Sequence, residues 1–224
     1  MSQTSEHITL SNNGVDGIIT PYYLWLEGHS KPGLAPGGLW KLRDKKGKEA
    51  QVQSRLPTED KIVVRVEATG EEPTEHEISR TFDKSLHLSI RKSNLMGNQI
   101  IWTDGLTIPT AWFLNQPATS ISIQEADGLN ERLKLTIRFD GFCGNHFEVP
   151  DWSPLPKKEL TRGKFVFDNV YNTDVIKVSQ TIVGEKSGIG IAALSLYFAI
   201  GRGIIRAEGR IINRSIKYHL AEKS

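Results

Sequence analysis

Residues 132–140 read Arg132-Leu133-Lys134-Leu135-Thr136-Ile137-Arg138-Phe139-Asp140. Apolar and polar positions alternate without a break, with Leu133, Leu135, Ile137 and Phe139 on one face and Lys134, Thr136, Arg138 and Asp140 on the other. A period of two is that of an extended strand, whose successive Cβ atoms point to opposite sides. One apolar and one charged face predict an antiparallel sheet with a single wet side.

The same pattern spreads outward from this stretch. Ile62, Val64 and Val66 alternate with Lys61, Arg65 and Glu67; Leu86, Leu88 and Ile90 with His87, Ser89 and Arg91; Ile216, Tyr218 and Leu220 with Ser215, Lys217 and His219. Further strands are expected at 17–27, 38–43, 99–102, 120–125, 164–171 and 175–183, with a hairpin turn at Asn172-Thr173-Asp174. Loops are expected where proline and glycine gather, at 31–38, 104–117 and 150–156. No segment sustains apolar residues at i, i+3, i+4 and i+7, so no amphipathic helix is expected and the fold class is all-β. Strands with one apolar face must press two sheets together or curl one sheet around its dry side. The lengths of 132–140 and 174–183 favour the second, a curved antiparallel sheet forming a half-open barrel, with a β-sandwich as the alternative.

Of the 224 residues, 38% are hydrophobic and 24% charged. A chain of this size buries roughly 70% of its unfolded surface, enough to fold without staples. A single all-β domain over 1–224 is expected, with 1–37 as a peripheral N-terminal hairpin. The one cysteine, Cys143, excludes an internal disulfide framework and a cysteine-only metal cluster. A formal charge of +2 is too small for a sequence-independent nucleic-acid binder. Residues 157–224 nevertheless hold 12 Lys and Arg against 6 Asp and Glu, which leaves the earlier part acidic. The longest apolar run, 189–200, is shorter than the roughly 20 residues of a membrane span and belongs in a core. The opening MSQTSEHITLSNNG shows neither a basic nor an apolar leader region, which reads as cytoplasmic, or as an envelope location with a leader removed.

More specific residues appear in the C-terminal third. Pro154-Leu155-Pro156, Arg162-Gly163-Lys164, the run Tyr171-Asn172-Thr173-Asp174-Val175-Ile176-Lys177-Val178, and Leu196-Tyr197-Phe198-Ala199-Ile200-Gly201-Arg202-Gly203-Ile204-Ile205-Arg206 precede a last strand ending at Leu220. This pattern resembles bacterial envelope proteins of the lipoprotein-carrier half-barrel type. The resemblance implies a curved antiparallel sheet whose apolar concave face shelters lipid or another greasy ligand. The chain departs from that group in lacking a leader and a lipidation cysteine near its start.

Chemical motifs are weighed against simpler readings. Gly188-x-Gly190-x-x-Ala193 superficially matches a dinucleotide fingerprint, but no βαβ unit surrounds it and a strand is the better reading. Cys143 and His146 suggest a metal half-site or a thiol with its base, yet His7, His29, His76, His87 and His219 supply no second matched pair. Glu71, Glu72, Asp104, Asp127, Glu148 and Asp151 fall in turns or loops, where solvated acids are ordinary. Asp104 beside Trp102 and upstream of Trp112-Phe113 also suits a sugar-binding or glycosidase groove. Arg202, Arg206, Arg210 and Arg214 recur every four residues, and on strands two or more of them line one side of a terminal hairpin.

These readings converge on a non-enzymatic binding protein with a hydrophobic or amphipathic, lipid-like ligand in the concave face. Leu135, Ile137, Phe139, Ile176, Val178 and Ile182 are the expected wall of that pocket, and Trp112 and Phe113 its cap. No metal, cofactor, nucleic acid or transmembrane segment is expected. The competing readings are a carbohydrate-active enzyme or sugar binder, and an interaction module whose concave face is filled by its own side chains.

Overall fold

The computed structural model describes residues 18–19, 36–58, 61–70, 73–80, 86–92, 94–95, 98–99, 106–108, 112–113, 117–126, 128–142, 148–153, 157–160, 164–167, 175–199 and 203–223. Among these residues there are eighteen strands and no helix. In chain order they are β1 (Ile18–Ile19), β2 (Pro36–Arg43), β3 (Glu49–Thr58), β4 (Lys61–Ala68), β5 (Thr74–Arg80), β6 (Leu86–Lys92), β7 (Asn94–Leu95), β8 (Asn98–Gln99), β9 (Leu106–Ile108), β10 (Trp112–Phe113), β11 (Pro117–Ala126), β12 (Glu131–Phe142), β13 (Lys157–Leu160), β14 (Lys164–Phe167), β15 (Val175–Gly184), β16 (Gly190–Ala199), β17 (Gly203–Ile211) and β18 (Arg214–Lys223).

Twelve of them make one sheet in the order β11-β12-β15-β16-β17-β18-β2-β3-β4-β5-β6-β9, every neighbouring pair antiparallel. The sheet is curved into a half-open barrel, one of the two arrangements that one-sided alternation allows. Its edge strands β11 and β9 approach each other, but no ladder joins them among the described residues. The seam between the two halves is β18 against β2, which joins the C-terminal strand to the first strand of the sheet.

Residues opposite each other in the ladders share a face, so the register separates a dry row from a wet one. One dry row runs Phe139, Val178, Leu196, Ala207, Tyr218 across five strands, and another runs Leu220, Leu42, Ala50, Ala68 across the seam. Trp40, Leu135 and Phe139 are completely buried there. Each such side chain contributes roughly 1.5–3 kcal/mol of transfer free energy. The opposite face carries the row Lys177, Tyr197, Arg206, His219, Arg43, Glu49.

Several sequence expectations shift in detail. Pro36–Gly38, read as loop, opens β2, with a register shift between Pro36 and Leu39 that accommodates the proline. The 104–117 connection contains β9 and β10. β3 and β5 were not anticipated. Among the described side chains β3 presents the small Ala50, Val52 and Ser54 to the interior, and β5 has a single aliphatic residue, Ile78, so neither has a run of large apolar side chains there. Ladder pairing on both sides holds them in place instead. The expected turn at 172–174 lies outside the described residues.

Candidate functional site

At one end of the seam the chain builds a depression of about 750 Å³ from three pieces that are distant in sequence. The first is the β2–β3 turn. Asp44 Oδ1 accepts hydrogen bonds from the backbone N–H groups of Lys46 and Lys48, both at 2.8 Å, and Gly47 adopts the left-handed φ of 80° that closes the turn. Binding its own amides engages the Asp44 carboxylate and leaves Lys45, Lys46 and Lys48 projecting, all exposed. Among the described residues none of these three ammonium groups is paired with a carboxylate.

The second piece is the first half of β18, residues 214–219, which contributes Arg214, Ser215, Ile216, Lys217, Tyr218 and His219. β18 alternates, so Ile216 and Tyr218 lean toward the dry face while Lys217 and His219 belong to the wet one. The third is the segment from Pro150 to Ser153, closed by a Ser153 N–H bond to the Pro150 carbonyl at 3.1 Å. It sets the half-exposed Trp152 ring edge-on to His219, with centroids 6.0 Å apart at 87°.

Beneath this aromatic pair lies a charged cluster. Tyr197 Oη donates to Glu208 Oε1 at 2.8 Å, Arg206 pairs with Glu208 Oε2, and the Arg206 guanidinium stands 4.9 Å from the Tyr197 ring centroid. Lys217 Nζ is 4.0 Å from the same carboxylate. Burial pushes the Glu208 carboxyl up, but the bonds from Arg206 and Tyr197 and the charges of Arg206 and Lys217 outweigh it, and the group is held below its ordinary value. Burial likewise disfavours a charged His219, and the nearby cations Arg206 and Lys217 add to it, so its pKa falls to about 4. At neutral pH the ring is therefore uncharged.

The cavity lining thus combines Pro150, Trp152, Ile216 and Tyr218 with five cations, Lys45, Lys46, Lys48, Arg214 and Lys217, and has Asp44 as its one carboxylate. Such a lining attracts an anionic group and also has ring and aliphatic surface for an apolar one. Ser215 and His219 do not form a nucleophile and base, because four residues along a strand span about 13 Å. Among the described residues no three His, Cys, Asp or Glu side chains gather as a metal site. No helix among them is long and apolar enough to cross a membrane.

The residues anticipated from sequence have a different placement. Leu135, Ile137 and Phe139 of β12 and Ile176, Val178 and Ile182 of β15 do come together, with Leu135 opposite Ile182 and Phe139 opposite Val178. All six are buried in the core, between 0% and 8% exposed, and none lines the depression at the seam. Trp112 and Phe113 form β10, opposite Ile19 and Ile18 of β1; their side chains lie outside the described residues. Glu71, Glu72, Trp102, Asp104, Asp127, Cys143, His146 and Arg202 also lie outside them. Glu148 and Asp151 are exposed, and Asp151 accepts the Trp152 N–H at 2.8 Å. Arg206 and Arg210 share the wet face of β17, as strand geometry requires.

Sequence reasoning missed the Lys45, Lys46, Lys48 turn and Trp152. The Asp-Lys-Lys-Gly-Lys run resembles any solvated turn, and only the β18–β2 ladder brings it beside Arg214 and Lys217. No protein-family model, curated protein or solved structure matches this chain, so the chemistry of the site rests on its own residues.

Proposed function

We propose that the protein binds a hydrophobic or amphipathic, lipid-like ligand, and that the cavity at the β18–β2 seam receives the ligand's anionic end. The observation carrying this reading is the mixed lining, in which Pro150, Trp152 and Ile216 share one cavity with Lys45, Lys46, Lys48, Arg214 and Lys217. The neutral state of His219 leaves Trp152 an uncharged partner, so the apolar wall stays apolar at neutral pH. Each ammonium about 6 Å from a bound anion contributes on the order of 1–3 kcal/mol at the dielectric of a protein surface. That is enough to separate anionic from cationic head groups by tenfold or more. The resemblance of the C-terminal third to lipoprotein-carrier half-barrels points to the same ligand class. In this reading Leu135, Ile137, Phe139, Ile176, Val178 and Ile182 form the rigid interior that holds the seam in shape.

Three amphiphiles with one dodecyl chain test it, titrated below their micelle concentrations: dodecyl phosphate, dodecyl maltoside and dodecyltrimethylammonium. Tryptophan quenching is expected to be strongest with the phosphate, with the Trp152→Phe variant losing most of the signal and Lys45→Gln with Lys46→Gln losing the preference for the anion. Equal response to all three head groups, or silence toward all, overturns the reading. A preference for the maltoside moves the site to sugar binding.

A further inference from the structure

The antiparallel register brings the β2–β3, β4–β5, β11–β12, β15–β16 and β17–β18 turns to one end of the sheet. The β15–β16 turn at 185–189 and the β17–β18 turn at 212–213 are neighbours, since Ile212 N–H donates to the Ile191 carbonyl and Ala192 stands opposite Ile211. The β2–β3 turn lies beside the start of β18, sharing the cavity wall with Arg214. This end carries two bare aliphatic side chains, Ile189 at 54% exposure and Ile212 at 40%.

Ile212 is the more informative. Its φ is 52°, in the left-handed region, which a β-branched residue adopts only against steric resistance. Glycine or asparagine fits such a two-residue turn more easily, and Asn213 already follows. The fold therefore holds an aliphatic side chain at this tip at a conformational cost, while exposing it to water.

The β2–β3, β15–β16 and β17–β18 turns carry exposed cations. Lys45, Lys46, Lys48, Lys186 and Arg214 are all exposed here. The described carboxylates nearby are engaged: Asp44 by its turn amides, Glu185 by a bidentate bond to Arg132, and Glu131 by the amides and hydroxyl of the β15–β16 turn. Aliphatic tips gain nothing against a nucleic-acid backbone, whereas they gain by entering the boundary between head groups and acyl chains while flanking cations meet the phosphates.

We infer that this turn end docks on the surface of an anionic lipid bilayer, with Ile189 and Ile212 inserted and the five cations on the lipid phosphates. Lys45, Lys46, Lys48 and Arg214 also line the cavity, whereas Ile189 and Ile212 do not, so the isoleucine variants separate this inference from the cavity reading.

Sedimentation of the full chain with vesicles of phosphatidylcholine alone, or with about 30% phosphatidylglycerol, tests it. Binding is expected only to the anionic vesicles and is expected to be lost in about 0.5 M salt. Lys45→Gln with Lys46→Gln is expected to weaken partition about 30-fold, from the usual contribution of two surface cations. Ile212→Asn relieves the left-handed strain, so this variant is expected to melt no lower than the native chain and yet to partition about tenfold more weakly. Ile189→Ser is expected to act in the same direction, with dodecyl phosphate binding retained in both isoleucine variants. Equal binding to both vesicle types, native partition by Ile212→Asn, or self-association abolished by Ile212→Asn in a chain that ignores vesicles each overturns the inference. Vesicle binding without dodecyl phosphate binding sustains it while removing the cavity reading.

Discussion

Gly209 offers the sharpest test of how the sheet is held. It lies in β17, opposite Leu194 on one side and Ile216 on the other, with φ at +145°, which L side chains rarely adopt. A Cβ added there would stand 2.0 Å from the Ala193 carbonyl oxygen and 2.9 Å from Leu194 Cα. Both obstacles are backbone, so no side-chain rotation removes them. Restoring an ordinary contact of 3.4 Å would part β16 from β17 by more than 1 Å locally, enough to stretch a ladder of about 4.8 Å spacing beyond hydrogen bonding. Two lost bonds at about 1 kcal/mol each, with 1–3 kcal/mol for the unfavourable φ, make Gly209→Ala destabilising by about 3–5 kcal/mol. That is a large share of the roughly 5–15 kcal/mol of a typical domain, and corresponds to a fall in Tm of about 10 °C. Two neighbours calibrate the measurement. Gly188 has a φ of +70° but open space around its Cβ direction, so Gly188→Ala is expected to cost about 1 kcal/mol. Gly190 has open space and no left-handed φ, so Gly190→Ala is expected to be nearly neutral. Urea unfolding and thermal circular dichroism on the three variants decide the matter. If Gly209→Ala unfolds within about 1 kcal/mol of Gly190→Ala, the close approach of β16 and β17 is refuted.

Two pH-dependent outcomes follow from Glu131 and the partly buried His219. Glu131 accepts bonds from the Ser187 hydroxyl and from the Ser187 and Lys186 amides, which hold its carboxyl below the ordinary 4.5 against the opposing effect of burial. Its contribution is therefore complete above pH 4.5 and is lost as the pH falls through the folded value, so the gap in urea midpoint between the native chain and Glu131→Gln should close in acid; a gap unchanged at low pH would contradict this. For His219, the folded ring titrates at about 4 against 6.5 in the unfolded chain, so the unfolded state takes up the proton first and stability declines as pH falls from 6.5 toward 4. His219→Phe should flatten that part of the stability profile, and the native ring's NMR shifts should stay constant from pH 8 to about 5; a midpoint near 6.5 would show that the ring is not buried against Trp152, Arg206 and Lys217.

Alternation in 132–140 was enough to place β12, and the same period marked β4, β6, β15 and β18, because a side chain's face in a strand depends only on its parity. The dry patch of Leu135, Ile137, Phe139, Ile176, Val178 and Ile182 followed from that parity, and those residues do share a face. β3 and β5 escaped notice because pairing with neighbours, not their own hydrophobicity, keeps them extended. A strand with flanking ladders on both sides needs little apolar period of its own.

The chain's own pattern thus determined the all-β class and the one-sided wall, while leaving a curved sheet and a sandwich both open. Which strand lies beside which was decided only by tertiary pairing. Placing β18 against β2 joins residues 36–43 to residues 214–223, and that single long-range ladder creates the basic and aromatic cavity, buries His219 beside Arg206, and gathers Lys45, Arg214 and Ile212 at one end. Local propensity cannot encode such a pairing, because the free energy that selects it comes from closing the apolar face over the whole sheet. No short window of sequence contains that information.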